Sequence, residues 1–268
     1  MIKNWMVAGT AMLALAAVGA LTAGSMGKAG AQDAPATPGA ARNLDRAEVE
    51  TIVREYLLAN PEILIEMQDV LEKRQEEEQR VATLATIEEA KDEIFNSAHD
   101  GVVGNPNGTT TVVEFYDYNC GFCERAMQDM LALTAADRDL RFVLKEFPIL
   151  GPDSQKAHVV SMAFRSLMPE KYGEFHQQLM TMDGRAGEAT AVKIALSLGA
   201  DEAALKAAMK DPAITEAFNR TYDLANRLKI TGTPSYVVGD QVVYGALGAE
   251  VLSEKIAAAR ACGENAAC

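Results

Sequence analysis

Apolar residues recur along this chain with two periods, about 3.6 and 2, and the order of the two predicts the architecture. Val49, Ile52, Val53, Tyr56 and Leu57 lie on one face of a helix, with Asp45 placed to cap its start. Asn60-Pro61 breaks that helix and predicts a restart, with Asn60 as the cap and Pro61 in the first turn. A second stripe follows at Ile63, Leu64, Met67, Val70 and Leu71. Glu72 to Arg80 is almost wholly charged or Gln and reads as a solvated helix face. This helical region, residues 44–99, has too little apolar area for a domain of its own. Its stripes need the rest of the chain or further copies of it as a partner.

The turn dipeptides Asp100-Gly101, Asn105-Pro106 and Asn107-Gly108 separate this region from a second one, residues 100–262. Thr110 to Tyr116 is β-branched and aromatic and predicts a strand. From Cys123 the spacing of Ala126, Met127, Met130 and Leu131 predicts a helix that begins at a Cys pair. Leu140 to Phe147 predicts a second strand, stopped by Pro148. Residues 153–229 read as wholly helical, in about four segments broken near Pro169, Gly184, Gly199 and Pro212. Ser235–Val238 and Val242–Tyr244 flank Gly239-Asp240, a hairpin signal, and a last helix runs from about Glu250 to Ala261. Strand, helix, strand, a helical insertion, hairpin and helix make an α/β domain; residues 263–268 form a tail.

The first 31 residues read as an export signal. Lys3 precedes the apolar run Met6 to Ala23, and Ala29-Gly30-Ala31 offers a small-residue cleavage site before Gln32. The Ala- and Pro-rich residues 32–43 predict a flexible linker. Export points to the periplasm, an oxidising compartment where disulfides persist. The net charge of −13 opposes nucleic-acid binding, which needs clustered Lys and Arg. No glycine-rich phosphate loop is present, and no dissociable cofactor is implied.

The chemistry centres on Cys120-Gly121-Phe122-Cys123. A Cys at a helix N-terminus is stabilised as a thiolate by free amides and the helix dipole. Cys120 is therefore the expected nucleophile and Cys123, one turn further in, the resolving thiol. Gly121 and Phe122 carry no charge, so the helix terminus is expected to supply most of the tuning. A structural disulfide rarely spans two residues at a strand–helix junction. Zinc would need a second ligand pair; Cys262 and Cys268 are spaced too widely, and His99, His158 and His176 read as separate surface or core histidines. The rival reading is a copper- or other metal-binding periplasmic protein using the Cys pair, supported by 12 Met. Met127 and Met130, however, sit at core spacing. Thr231-Gly232-Thr233-Pro234 precedes the hairpin. A cis Thr233-Pro234 bond would turn the chain and leave the Thr233 backbone free to pair with an extended substrate.

Val113-Glu114-Phe115-Tyr116-Asp117-Tyr118-Asn119-Cys120-Gly121-Phe122-Cys123 resembles the active-site strand and helix of the DsbA family, and Thr231–Pro234 resembles its cis-proline loop. The resemblance implies a thioredoxin-like fold with a helical insertion and an oxidoreductase or isomerase of protein disulfides. It makes Cys120, Cys123, Thr233 and Pro234 site residues and Glu114 a buried acid that relays protons to Cys123. Lys145 on the second strand is then a plausible partner charge for Glu114. Tyr56-Leu57-Leu58-Ala59-Asn60-Pro61-Glu62 resembles the extension of the ScsC-like branch, which implies a homo-oligomer and, by likeness, a trimer. The implied partners are unfolded or misfolded exported proteins and a membrane redox protein that resets the pair. Gly-Phe differs from the Pro-His dipeptide of strongly oxidising members. Cys262 and Cys268 are expected to form a small terminal disulfide or a loose pair.

Overall fold

The computed structural model describes residues 45–264, with side chains to Ala261. The export segment, the linker and the pairing of Cys262 with Cys268 lie outside the described residues. The described chain divides after Pro61 into two units.

In the first unit, Arg46–Ala59 forms α1. The Asp45 carboxylate accepts from the Glu48 amide and the Glu48 side chain accepts from the Asp45 amide, a reciprocal capping box that satisfies two otherwise orphaned donors. Asn60 terminates α1 and donates from its backbone and side chain to the Tyr56 carbonyl. It does not cap a second helix, because its side chain is already committed to the last turn of α1. Val49, Ile52, Val53, Tyr56, Leu57 and Leu58 are all exposed.

The second unit opens with α2, Ile63–Glu89, and the short α3, Lys91–Phe95. Leu64, Met67, Val70 and Leu71 of α2 are exposed, whereas Ile87, Ala90 and Ile94 at its far end and beyond are buried. Five strands follow: β1 Gly101–Gly104, β2 Thr110–Tyr116, β3 Leu140–Glu146, β4 Ser235–Val238 and β5 Gln241–Tyr244, in the sheet order β1-β3-β2-β4-β5. β2 and β3 are parallel and joined by α4, Gly121–Ala136; the other pairs are antiparallel. The central strands are covered on both faces, so their residues, charged ones included, are buried almost without a break and burial does not alternate along them. β1 was not expected: its four residues sit among turn dipeptides, and pairing with β3 makes it a strand.

The insertion holds five helices, one more than the spacing predicts: α5 Pro152–Leu167, α6 Tyr172–Met180, α7 Glu188–Ser197, α8 Glu202–Ala208 and α9 Pro212–Arg227. The anticipated breaks at Pro169, Gly184, Gly199 and Pro212 all fall between helices or at a helix start. α10, Ala249–Glu264, closes the fold. Gly239 adopts φ +58 in the β4–β5 turn, a left-handed conformation that glycine reaches without steric cost.

Two apolar clusters sandwich the sheet. One gathers Val112, Tyr116, Cys123, Met127, Met130 and Tyr236 with the insertion and α10. The other gathers Val113, Phe115, Val143 and Phe147 with the end of α2, α3 and the end of α9. Alternate residues of β2 thus feed opposite cores.

Candidate active site

The site forms where β2 ends. Asp117, fully buried, organises the turn that follows: its Oδ1 accepts from the Asn119 amide (2.8 Å) and Ser154 Oγ (2.7 Å), and its Oδ2 from the Leu150 amide (2.9 Å). The Cys120 amide donates to the Asp117 carbonyl (3.0 Å), and Cys120, in extended conformation, is the N-cap of α4. The free amides of the first turn of α4 therefore gather at Cys120.

Cys120 and Cys123 are free thiols. Cys120 keeps 7% of its surface and Cys123 only 1%, so the first sulfur is the one a macromolecule reaches first. The hydrogen bond from the Cys123 thiol lowers the Cys120 thiol to about 5, against the opposing effect of burial; a side-chain hydrogen bond from Thr233 and the backbone of Cys123 and Phe122 add to the lowering. The helix terminus thus contributes, but the neighbouring thiol contributes most. Cys123 moves far upward, because burial and its hydrogen bond to Cys120 both disfavour its anion. One sulfur is an anion at neutral pH and the other holds its proton.

The Thr233–Pro234 bond is cis. The Cys120 sulfur lies 3.1 Å from the Thr233 carbonyl oxygen, to which it donates only when protonated. The Pro234 carbonyl is taken by the Gly245 amide (2.9 Å). Cys120, Cys123, Thr233 and Pro234 therefore converge, although more than a hundred residues of chain separate the two motifs.

Glu114 is buried on the same face as Cys123, with Oε2 lacking any hydrogen-bond partner. Burial raises its carboxyl to about 8, helped by the charges of Cys120 and then Asp129. Lys145 is not its partner. In the parallel register Lys145 stands opposite Phe115, so its side chain enters the other core. There its ammonium pairs with Asp100 and donates to the Glu93 carbonyl. Strand alternation fixes this outcome; the sequence had shown only that both residues lie on strands.

Three further features escaped the sequence reading. Arg125 stacks over the exposed Phe122 ring at 4.2 Å, one turn inside α4. The spacing of Phe122 and Arg125 on a helix could have signalled it. Asn119 binds the insertion through both ends of its amide, to Ala186 and Ser154. His158 and His176, unrelated by any spacing in the sequence, meet at Tyr118. Met127 and Met130 are buried in the core as their spacing predicts. Among the described residues no group of three or more His, Cys, Asp or Glu is placed to hold a metal ion.

Residues 111–257 match the family described as DSBA-like thioredoxin domain. The chain belongs to that family. Residues 45–78 match the copper resistance protein ScsC N-terminal domain. No curated protein matches the chain. Among solved structures it is similar to a thioredoxin-like oxidoreductase from Silicibacter pomeroyi DSS-3, at 40% identity over 63% of this chain and 97% of that one, with a TM-score of 0.61. It is similar to the thiol-disulfide exchange protein alpha-DsbA2 from Wolbachia pipientis at 30% identity, over 67% and 96% of the chains, with a TM-score of 0.62. A linker-deletion mutant of Proteus mirabilis ScsC shares 25% identity over 83% and 99%, with a TM-score of 0.63. The DsbA-like thioredoxin fold with an N-terminal helical region, expected from the resemblance, is thus established.

Proposed function

We propose that this DsbA-like protein is an exported disulfide exchange enzyme, an oxidoreductase or isomerase of unfolded and misfolded exported proteins, working through Cys120 and Cys123. The carrying observation is the opposite tuning of the two thiols, one lowered to about 5 and the other raised, with the lowered one nearer the surface. Structural cysteines need no such asymmetry; exchange does.

The Cys120 thiolate attacks one sulfur of a substrate disulfide. The substrate S–S bond breaks, a Cys120–substrate S–S bond forms, and the second substrate sulfur leaves as a thiolate. In isomerisation that thiolate, or another in the substrate, attacks the mixed disulfide and returns the Cys120 thiolate. In reduction Cys123 gives its proton to the Glu114 carboxylate and attacks Cys120 Sγ. The substrate thiolate is expelled with the bonding pair, and a Cys120–Cys123 disulfide remains. Oxidation of a substrate dithiol runs these steps backward. The Cys120 anion is one cause of the raised Glu114 pKa. When its charge enters the mixed disulfide that cause disappears, and the carboxylate becomes available as Cys123 must lose its proton.

The Thr233 backbone offers an extended substrate an edge beside the reacting sulfur, with Pro234 fixing the loop. A membrane redox protein resets the pair. The exposed stripe of α1 joins copies into a homo-oligomer, and the segment 1–31 directs export to the periplasm.

A scrambled-substrate refolding assay tests this reading. The full-length protein is expected to restore activity to scrambled substrate and Cys120→Ser to restore none. A Cys120→Ser protein as active as the parent overturns it.

A further inference from the structure

Each of the three residues ahead of Cys120 is tied to the helical insertion. Asp117 is held by Ser154 and Leu150, and Asn119 by Ala186 and Ser154. Between them the backbone N–H of Tyr118 donates to Nε2 of His158, a fully buried ring on α5 (3.2 Å). A backbone donor needs a lone pair at Nε2, so the proton of the neutral ring sits on Nδ1. Nδ1 faces Oε2 of Glu146, which is also buried.

Glu146 is itself held. Its Oε1 accepts from Ser161 Oγ (2.7 Å) and Tyr172 OH (3.4 Å). The Tyr118 hydroxyl meets Ser161 Oγ (2.8 Å) and His176 Nδ1 (3.1 Å), and the Tyr116 hydroxyl lies 3.2 Å from those of Tyr118 and Tyr172. Seven polar side chains thus hydrogen-bond to one another and to the Tyr118 amide. Fully satisfied buried networks of this kind specify one geometry. Here the only backbone group gripped lies two residues before the reacting thiol.

We propose that His158 is a positioning residue for Cys120: locked in one tautomer by Glu146, it anchors the Tyr118 backbone so that the turn 117–120 holds the sulfur against the first amides of α4. This rests on the reading of Cys120 as the exchanging thiol. His158 touches neither sulfur nor substrate; it acts through the turn. The helical insertion thereby tunes the nucleophile. The ionisable groups facing His158 are Glu146 on β3, Tyr116 on β2, Tyr118 in the turn and His176 on α6; Tyr172 on α6 reaches Glu146 and feels Arg165 on α5. Those acting at Cys120 are Cys123 on α4 and Glu114 on β2, with Thr233 beside it.

The test uses the reduced full-length protein. The rate of Cys120 alkylation by iodoacetamide is followed against pH, read on the Cys120 peptide by mass spectrometry, beside thermal unfolding. The parent midpoint is expected near 5. His158→Ala is expected to raise it by about one unit, a roughly tenfold loss of thiolate at pH values below the parent midpoint. His158→Gln can accept from Tyr118 and donate to Glu146, and is expected to restore the parent midpoint. His158→Asn is too short to do both and should behave as His158→Ala. Should the alanine variant fail to fold, the Gln–Asn comparison carries the test alone. A folded His158→Ala with the parent midpoint overturns the proposal, as do Gln and Asn variants with equal midpoints. Disulfide reductase activity of the parent is measured in parallel. An inactive parent whose Cys120 midpoint still moves with residue 158 sinks the exchange function and leaves the positioning. An active parent with an unmoved midpoint does the reverse.

Discussion

Glu114 on β2 and Tyr236 on β4 stand opposite each other in the antiparallel register, on the sheet face that carries Cys123. The carboxyl is fully buried, and burial is the main reason it is raised to about 8. Glu114→Gln removes the base and keeps the shape. Reductase turnover is expected to fall about a hundredfold, with alkylation of Cys120 retained. The same substitution reads out in stability. The folded protein keeps a proton that the unfolded chain releases between the ordinary 4.5 and about 8, so stability falls as pH rises through that window. The variant lacks this slope. It should unfold at higher temperature than the parent at pH 9, and the gap should close below pH 4.5. Parallel thermal unfolding at both pH values checks it.

Removing Cys123 should raise the Cys120 thiol above about 5, because the Cys123 hydrogen bond is the leading cause of the lowering. Cys123→Ala is expected to shift the Cys120 alkylation midpoint upward by a unit or more and to accumulate mixed disulfides with substrate, which nothing then resolves. Non-reducing gels and the alkylation profile measure both.

Lys145 and Asp100 form a buried ion pair on the sheet face away from Cys123. Desolvation outweighs the ammonium and raises Asp100 to about 6, so the pair is costly to break. Lys145→Met leaves Asp100 uncompensated and should cost about 3–5 kcal/mol in denaturant unfolding. The Cys120 alkylation midpoint should not move, which distinguishes this placement from a Lys145–Glu114 pair.

The stripe on α1 exposes six large apolar side chains. Val53→Asp with Leu57→Asp is expected to lower the solution mass in light scattering to that of a single chain. Disulfide reduction should persist while isomerisation of scrambled substrate falls. Unchanged mass would remove the assembly role of this face.

Much of this fold was legible because its signals are local. Cys120 at a strand–helix junction, the helical spacing of Ala126, Met127 and Met130, and the Gly239-Asp240 turn each depend on residues within a few positions of one another. β1 was not legible, since Gly101-Val-Val-Gly104 becomes a strand only by pairing with β3. Nor was the end of the second stripe: Ile87 and Ile94 are buried because the sheet reaches them, while the otherwise similar Leu64 and Val70 are not.

The amino-acid sequence alone determined the two cysteines, the acid six residues before the first of them, the proline loop and the order of elements that brings them to one sheet. Tertiary structure alone decided the companions of each group. Lys145 went to Asp100 because successive strand residues face opposite cores, and two distant histidines met at Tyr118 because the insertion folds over the turn. Those outcomes depend on the direction of a side chain and on the packing of remote helices, and neither quantity is written in the spacing of residues along a chain.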